Sequence, residues 1–339
     1  IRAIAHRIVH GAALNHPLLV SGDPASKSLE MLEQISTFAP LHNFAALGLI
    51  KACLEIFKGK GKVPENYACF DTVFHAELPA EVRTYPIHPH AAASGLPGGM
   101  ELRKWGFHGL AYASVLSQMA RHLGKPENEV SIIAAHLGSG TSLCAIAKGK
   151  PVDTTMGLTP LEGLPGSTRS GSVDPALSHH IVPSREPCSE GAKISKRPWV
   201  LNTQSGFKAL AGTTIFSDVV KLTKDEEADP AQRAAAQLTF DLFVDRVVGY
   251  LGSYYFKLSS HGAIDAVVFS GGIGENSVEL RESLADKLAS TPICISNADE
   301  GHQVQRSSGV SRITYAGLKP GEMTGIPWFI CEVSEWIAL

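Results

Sequence analysis

Ala266-Val267-Val268-Phe269-Ser270-Gly271-Gly272-Ile273-Gly274-Glu275-Asn276-Ser277 passes from an apolar run through three glycines towards a helix. Ala263 to Phe269 has the continuous apolar character of a buried strand, and Val278 to Ala289 has helical spacing. Glycine lets a backbone approach a ligand closely, and the start of a helix presents N–H groups to anions. The third glycine of a Rossmann fingerprint is absent, and no Gly-Lys-Ser/Thr follows as in a Walker A loop. Alone, the stretch fits a tight turn without a ligand as well as it fits a nucleotide wall.

A second strand and glycine turn lies upstream, in Ile132-Ile133-Ala134-Ala135-His136-Leu137-Gly138-Ser139-Gly140-Thr141-Ser142. Ser142 to Ala147 alternates and is expected to pair back antiparallel, so a plain β-hairpin explains this segment alone. Taken together, the two turns suit a phosphate-binding cleft with one wall per turn. Further strands are expected over Ile4 to Val9, Tyr67 to Thr72, Val130 to Ala135 and Val152 to Thr155. Helices are expected over Lys27 to Phe38, Asn43 to Phe57, from Leu110, and over Pro230 to Phe256. In the last, Ala236, Phe240, Val244, Val247 and Leu251 recur every three or four residues. This alternation of strand, turn and helix argues an α/β fold. Residues 180–200 lack periodicity and read as a loop or insertion.

The chain has 339 residues, and at roughly 150 residues per domain it suits two domains. Its net charge of −3 gives no basis for a nucleic-acid partner. The six cysteines are scattered without a Cys-x-x-Cys pair, which disfavours zinc and disulfides and points to a reducing compartment. No apolar run reaches the ~18 residues of a membrane span. The chain opens on Ile1 inside a strand-like run, so truncation, processing or misannotation at its start is the expectation.

Four side chains sit in unusual settings. Arg7 interrupts an apolar strand, and Arg169 lies in the small-residue loop Gly166-Ser167-Thr168-Arg169-Ser170-Gly171. Arginine grips phosphate or carboxylate with two parallel hydrogen bonds, although a structural ion pair is the alternative for each. Asp71 ends the strand at Cys69-Phe70-Asp71-Thr72, where a carboxylate can face a cleft and hold Mg²⁺ through water; a turn-forming Asp is the alternative. His108 lies between glycines in Trp105-Gly106-Phe107-His108-Gly109, open to a ligand.

With these residues in place, the chain resembles the acetate kinase family of the acetate and sugar kinase/heat-shock ATPase/actin superfamily. The matching runs include His6-Arg7-Ile8-Val9-His10-Gly11, Phe38-Ala39-Pro40-Leu41-His42-Asn43 and Phe70-Asp71-Thr72-Val73-Phe74-His75. Gly106-Phe107-His108-Gly109, His136-Leu137-Gly138-Ser139-Gly140 and Asp153-Thr154-Thr155-Met156-Gly157-Leu158-Thr159-Pro160-Leu161-Glu162-Gly163 follow, then Thr168-Arg169-Ser170-Gly171 and Phe269-Ser270-Gly271-Gly272-Ile273-Gly274-Glu275-Asn276. They stand in the family's order over nearly the whole chain.

The resemblance implies a two-domain ribonuclease H-like fold with a cleft between domains. Residues 1–75 would be the remainder of the N-terminal domain, with its first strands missing. Residues 76–325 would bind nucleotide and dimerise, and 326–339 would return to the N-terminal domain. The implied reaction is reversible in-line transfer from ATP to acetate, giving ADP and acetyl phosphate, with Mg²⁺, in a cytoplasmic homodimer. Carried over by position, Arg7 would bind acetate or the transferring phosphoryl, and Asp71 would be the essential carboxylate near nucleophile and metal. His108 and Arg169 would stabilise the transition state. Val9, Leu41, Phe107 and Pro160 would enclose the acetate methyl, with His42 beside the substrate. His136, Leu137, Gly138, Ser139 and Gly140 would contact phosphates. Gly272, Ile273, Gly274, Glu275 and Asn276 would line the adenosine pocket.

Four departures from the family pattern stand out. The early strand with its Asn and Ser-rich turn has no counterpart before Ile1. The usual Asp-x-Arg nucleotide contact reads Asp218-Val219-Val220, which leaves a pyrophosphate donor open. The terminal acidic pair is replaced by Glu332 and Glu335, with Glu335 the better metal candidate. Residues 180–200 match poorly. The Ser205-Gly206-Phe207-Lys208-Ala209-Leu210-Ala211-Gly212-Thr213-Thr214 wording resembles fungal members. The alternative to an active kinase is a silent fragment that keeps ligand or partner binding.

Overall fold

The computed structural model describes residues 1–23, 26–59, 64–88, 101–181, 196–294, 309–313 and 325–333. A small sheet is built from β1 (Ala3–Ile8), β2 (Leu18–Val20) and β3 (Glu65–Phe70), in the order β1-β3-β2. β1 and β3 run parallel, and β2 runs antiparallel to β3. Helices α1 (Ser28–Ile35) and α2 (Pro40–Phe57) cover this sheet through Leu32, Leu47 and Ile50, which pack on Ile8, Val20, Ala68 and Phe70.

The larger sheet has six strands: β4 (Ile132–Leu137), β5 (Thr141–Ala147), β6 (Lys150–Thr154), β7 (Ala266–Ser270), β8 (Val310–Ile313) and β9 (Trp328–Cys331). Their spatial order is β6-β5-β4-β7-β9-β8, with β4, β7 and β9 parallel. Residues of β4 alternate between two covered faces, which is why the strand is apolar from Ile132 to Ala135. Ile133, Ala135 and Leu137 pack under α6 (Pro230–Ser259), against Phe243, Val244, Val247 and Leu251. Ile132 and Ala134 pack on the opposite side, under Tyr112, Val115 and Met119 of α3 (Gly109–Leu123).

α6 starts where the sequence signals a start. The Asp229 carboxylate accepts from the Gln232 N–H (3.3 Å), and Pro230 occupies the first turn, where a missing N–H costs nothing. Phe216 and Phe207, from α5 (Phe216–Lys224) and α4 (Gly206–Ala211), stack around Phe243 with ring centroids 5.2 Å away.

Most expected elements are present within a few residues. Three readings change. The glycine turn after β7 is itself a short helix, α7 (Gly271–Asn276), followed by α8 (Val278–Leu288). Residues 196–200, taken with 180–200 as a loop, open the helix Lys196–Thr203, while 182–195 lie outside the described residues. The described part of 326–339 lies in the larger sheet, where β9 pairs with β7 through Val267↔Trp328.

Phe243 is fully buried between α4, α5 and the sheet. Phe243→Ala is expected to lower unfolding stability by about 3–5 kcal/mol, the usual loss for a core phenylalanine. A urea midpoint unchanged from the parent chain would contradict that packing.

Candidate active site

The site begins where β1 and β3 end side by side. The Asp71 N–H donates to the Ile8 carbonyl (3.0 Å), which extends the ladder by one step. The Asp71 carbonyl in turn accepts from the Gly109 N–H (3.0 Å) and ties the strand end to the start of α3. Gly109 has no room for a side chain, since a Cβ there would lie 2.0 Å from the Asp71 carbonyl oxygen. Arg7 clamps the Asp71 carboxylate with two hydrogen bonds, Nε to Oδ1 (3.2 Å) and Nη2 to Oδ2 (2.9 Å). Asp71 is 1% exposed and Arg7 37%, so a buried anion is balanced by a cation that still reaches the cleft.

His108 is carried on a strained turn, with φ +56° at His108 itself and +74° at Gly106. The His75 Nε2, 2.9 Å from the Phe107 carbonyl, holds that turn from below. The His108 Nδ1 lies 2.8 Å from the Ser142 hydroxyl, and its ring centroid is 4.6 Å from that of His136. Arg169 enters from the loop Gly166–Gly171. The loop closes through the Gly166 N–H to the Arg169 carbonyl (3.0 Å), and Gly206 (φ +63°) packs so tightly that a Cβ would meet the Gly166 oxygen at 2.0 Å. The Arg169 guanidinium donates to the His42 Nε2 (3.0 Å) and to the Pro160 carbonyl (3.4 Å). An arginine only donates, so His42 Nε2 is an acceptor and its proton sits on Nδ1. A Cβ placed on Gly140 would lie 2.9 Å from Arg169 Nη1 and 3.4 Å from His108 Nε2. Both donors therefore converge beside Gly140.

The cleft is cationic through its guanidiniums and not through its imidazoles. Burial, reinforced by the Arg169 and Arg7 charges, pushes His42 down to about 4. Burial and then the Arg7 charge push His136 to about 4. Burial, followed by His136, Arg7 and Arg169, holds His108 well below its ordinary value. All three rings are neutral near pH 7.

Two of the four apolar residues named above share one cluster. Val9 packs with Phe107 in a cluster that also holds Trp105, Met156 and Leu158, and Pro160 is half-buried beside Arg169. Leu41 is in α2, and its side chain lies outside the described residues. Met156 and Leu158 were not anticipated, although they stand in the quoted Thr155-Met156-Gly157-Leu158 run.

A cavity of about 530 Å³ opens beside the Gly138–Ser139 turn. Gly138, Ser139, Gly272, Ile273 and Asn276 are among the residues that line it. The two glycine turns do not oppose each other as separate walls. β4 and β7 are parallel neighbours, with His136 opposite Ser270, and so the turns lie side by side. The facing wall is Ser167 with Thr214, Ile215, Phe216, Ser217 and Val220, and Ser277 and Glu279 complete the lining. His136, Leu137, Gly140, Gly274 and Glu275 are not part of that lining. His136 and Gly140 turn towards the Arg169 cluster, and Leu137 is buried in the core. The Glu275 carboxylate folds back to accept from the Gly271 N–H (2.8 Å), so that N–H is already satisfied internally. Val220 lines the cavity where the family resemblance led one to look for an Arg, and Asp218 faces Lys221 at 3.4 Å.

Glu335 lies outside the described residues, and the Glu332 N–H bonds to the Gly309 carbonyl (2.9 Å). Among the described residues no group of three or more His, Cys, Asp or Glu side chains forms a metal cage. Mg²⁺ is ordinarily held by one or two carboxylates, substrate phosphates and water; Asp71 offers one such carboxylate, buried and held by Arg7 through both oxygens.

The fold is similar to that of carboxylate kinases. The structure matches a propionate kinase from Francisella tularensis (TM-score 0.76, 30% identity, 98% of this chain and 76% of that one). It also matches the Porphyromonas gingivalis acetate kinase (TM-score 0.75, 26% identity, 99% and 75%). The chain belongs to the acetokinase family, whose sequence profile matches residues 1–315. A probable acetate kinase of Neurospora crassa is 43% identical over 299 residues, 85% of this chain. The chain spans 61% of the length of that relative. A probable acetate kinase of Emericella nidulans is 38% identical over 98% of this chain and 74% of its own length.

Buried neutral histidines make stability pH-dependent. His10, His42, His75 and His136 are each pushed, chiefly by burial, to about 4. The unfolded chain binds protons near the ordinary 6.5 and the folded chain only near 4, so the unfolded form takes up more protons in between. Stability is therefore expected to hold above pH 6.5 and to fall steadily from there towards pH 4. Melting midpoints measured across that range check this, and a midpoint flat down to pH 4.5 would contradict it.

Proposed function

We propose that this chain catalyses reversible phosphoryl transfer between ATP and acetate. One observation carries the reading: two arginines and a neutral histidine donor meet beside a small apolar patch, next to a cavity floored by two glycine turns. Phosphoryl transfer asks a protein to position two anions and to stabilise charge spread over the transferring group. Arg7 meets the acetate carboxylate, while the Val9 and Phe107 side chains receive its methyl group. An acetate oxygen attacks the γ-phosphorus in line. The new O–P bond forms as the bond to the ADP oxygen breaks, and no proton is exchanged. Arg169 Nη1 and His108 Nε2 donate to the equatorial oxygens of the transferring phosphoryl. The backbone at Gly138, Ser139 and Gly272 borders the remaining phosphates, and the Thr214 to Val220 wall accommodates the nucleoside. Bound Mg²⁺ would neutralise phosphate charge, and Asp71 would help to hold it.

The same reading assigns the protein to the cytoplasm as a homodimer. The described cysteines are thiols, not disulfides, and among the described residues no helix is long and apolar enough to cross a membrane. Leu238 and Phe256 on α6 are 58% and 76% exposed and offer apolar surface to a second copy.

Acetyl phosphate trapped as its hydroxamate measures the reaction directly. Arg169→Ala is expected to reduce turnover by about 10³-fold or more while leaving the circular dichroism spectrum unchanged. Normal turnover in that variant would remove Arg169 from the transition state. An apolar pocket discriminates by only about 1–3 kcal/mol per methylene. Propionate is accordingly expected to be a slower substrate, and butyrate turned over at the acetate rate would rule out a closed methyl pocket.

A further inference from the structure

We propose that Tyr112 and Ser142 form a hydrogen-bond relay that fixes His108 as the Nε2–H tautomer, making it a neutral donor aimed at the reacting phosphoryl. The donor role rests on the function proposed above, whereas the tautomer does not. Tyr112 follows His108 by one helical turn in α3, its N–H bonding the His108 carbonyl (3.0 Å), so the two side chains share a face. Ser142 comes from β5, directly opposite His136 in the β4–β5 register. Both side chains reach the same hydroxyl: Tyr112 Oη and His108 Nδ1 each hydrogen-bond the Ser142 Oγ. Tyr112 and Ser142 are wholly buried, so solvent does not supply alternative partners.

The direction of the chain follows from its far end. Among the described residues the hydrogen-bond partner of the wholly buried Tyr112 hydroxyl is the Ser142 oxygen. The phenol proton therefore has the Ser142 oxygen as its acceptor. Ser142, having accepted there, sends its own proton to His108 Nδ1. A neutral imidazole with an accepting Nδ1 carries its proton on Nε2. That atom faces Gly140, where Arg169 Nη1 also points. The reverse order would leave the Tyr112 proton without an acceptor among the described residues. Tyr112 and Ser142 are thus positioning residues acting through His108, and they select which of its nitrogens can donate.

The test is nitrogen NMR of the full chain labelled with ¹⁵N-histidine, with the His108 signals identified by their loss in His108→Gln. The wild-type chain should show a protonated Nε2 and a bare Nδ1. Tyr112→Phe frees the Ser142 hydroxyl and should give a mixed tautomer, with kcat for acetyl phosphate formation at least about tenfold lower and KM for acetate and ATP within about twofold. Ser142→Ala should behave likewise and Ser142→Thr should restore both readouts, which keeps the relay testable if Tyr112→Phe does not fold. A wild-type His108 protonated on Nδ1 would overturn the relay. So would a variant in which kcat falls while the tautomer is unchanged, since that is a structural effect alone. If the wild-type chain makes no acetyl phosphate, the functional reading fails and the tautomer spectrum still decides the relay.

Discussion

The parallel pairing of β4 with β7 is the constraint from which the rest of the molecule follows. Five residue pairs, from Ile132↔Ala266 to His136↔Ser270, join strands that lie far apart in the chain. Because both strands are covered on both faces, by α6 on one side and α3 on the other, neither can slip its register by one residue without exposing a row of apolar side chains. Their ends are thereby fixed at one level, and the two glycine turns emerge together. The cavity, the His136 ring and the start of α7 all take their positions from that shared edge.

Charge in the cleft is arranged by a similar economy. Arg7 is held by Asp71, and Arg169 leans on a neutral His42 and a carbonyl oxygen. Burial keeps the imidazoles uncharged, so guanidiniums alone supply the positive field. Imidazoles in that state can accept from arginine, as His42 does, or donate to an anion, without adding repulsion between cations.

Much of this was legible in the sequence, for reasons that differ by residue. α6 announces itself through its apolar period from Pro230 onward, a local signal. β4 and β5 declare a hairpin because the connecting glycine turn is short. Arg7, Asp71, His108 and Arg169 stand out because charged or titratable groups occupy places that strands and small-residue loops normally give to neutral ones. What stayed hidden is non-local. That the two glycine turns are neighbours and not facing walls depends on strand order, which no local pattern encodes. Thr214 to Val220 carries no ligand signal beyond the missing Arg of the Asp-x-Arg pattern, and only packing turns Val220 towards the cavity. Glu275 sits in a run read as adenosine-binding, yet its carboxylate returns to its own helix, a choice of rotamer that composition cannot reveal.

Gly206 has a consequence of a different kind. It touches nothing that reacts, yet its bare α-carbon abuts the carbonyls of Gly166 and Arg169. The loop that aims Arg169 is thus gauged from outside by a missing methyl group, much as a shim sets the gap between two plates. A descendant that gained a side chain at this position would keep every reactive atom and lose only their spacing. Its active-site sequence would still look intact, and inspection of the motif residues alone would overlook the defect.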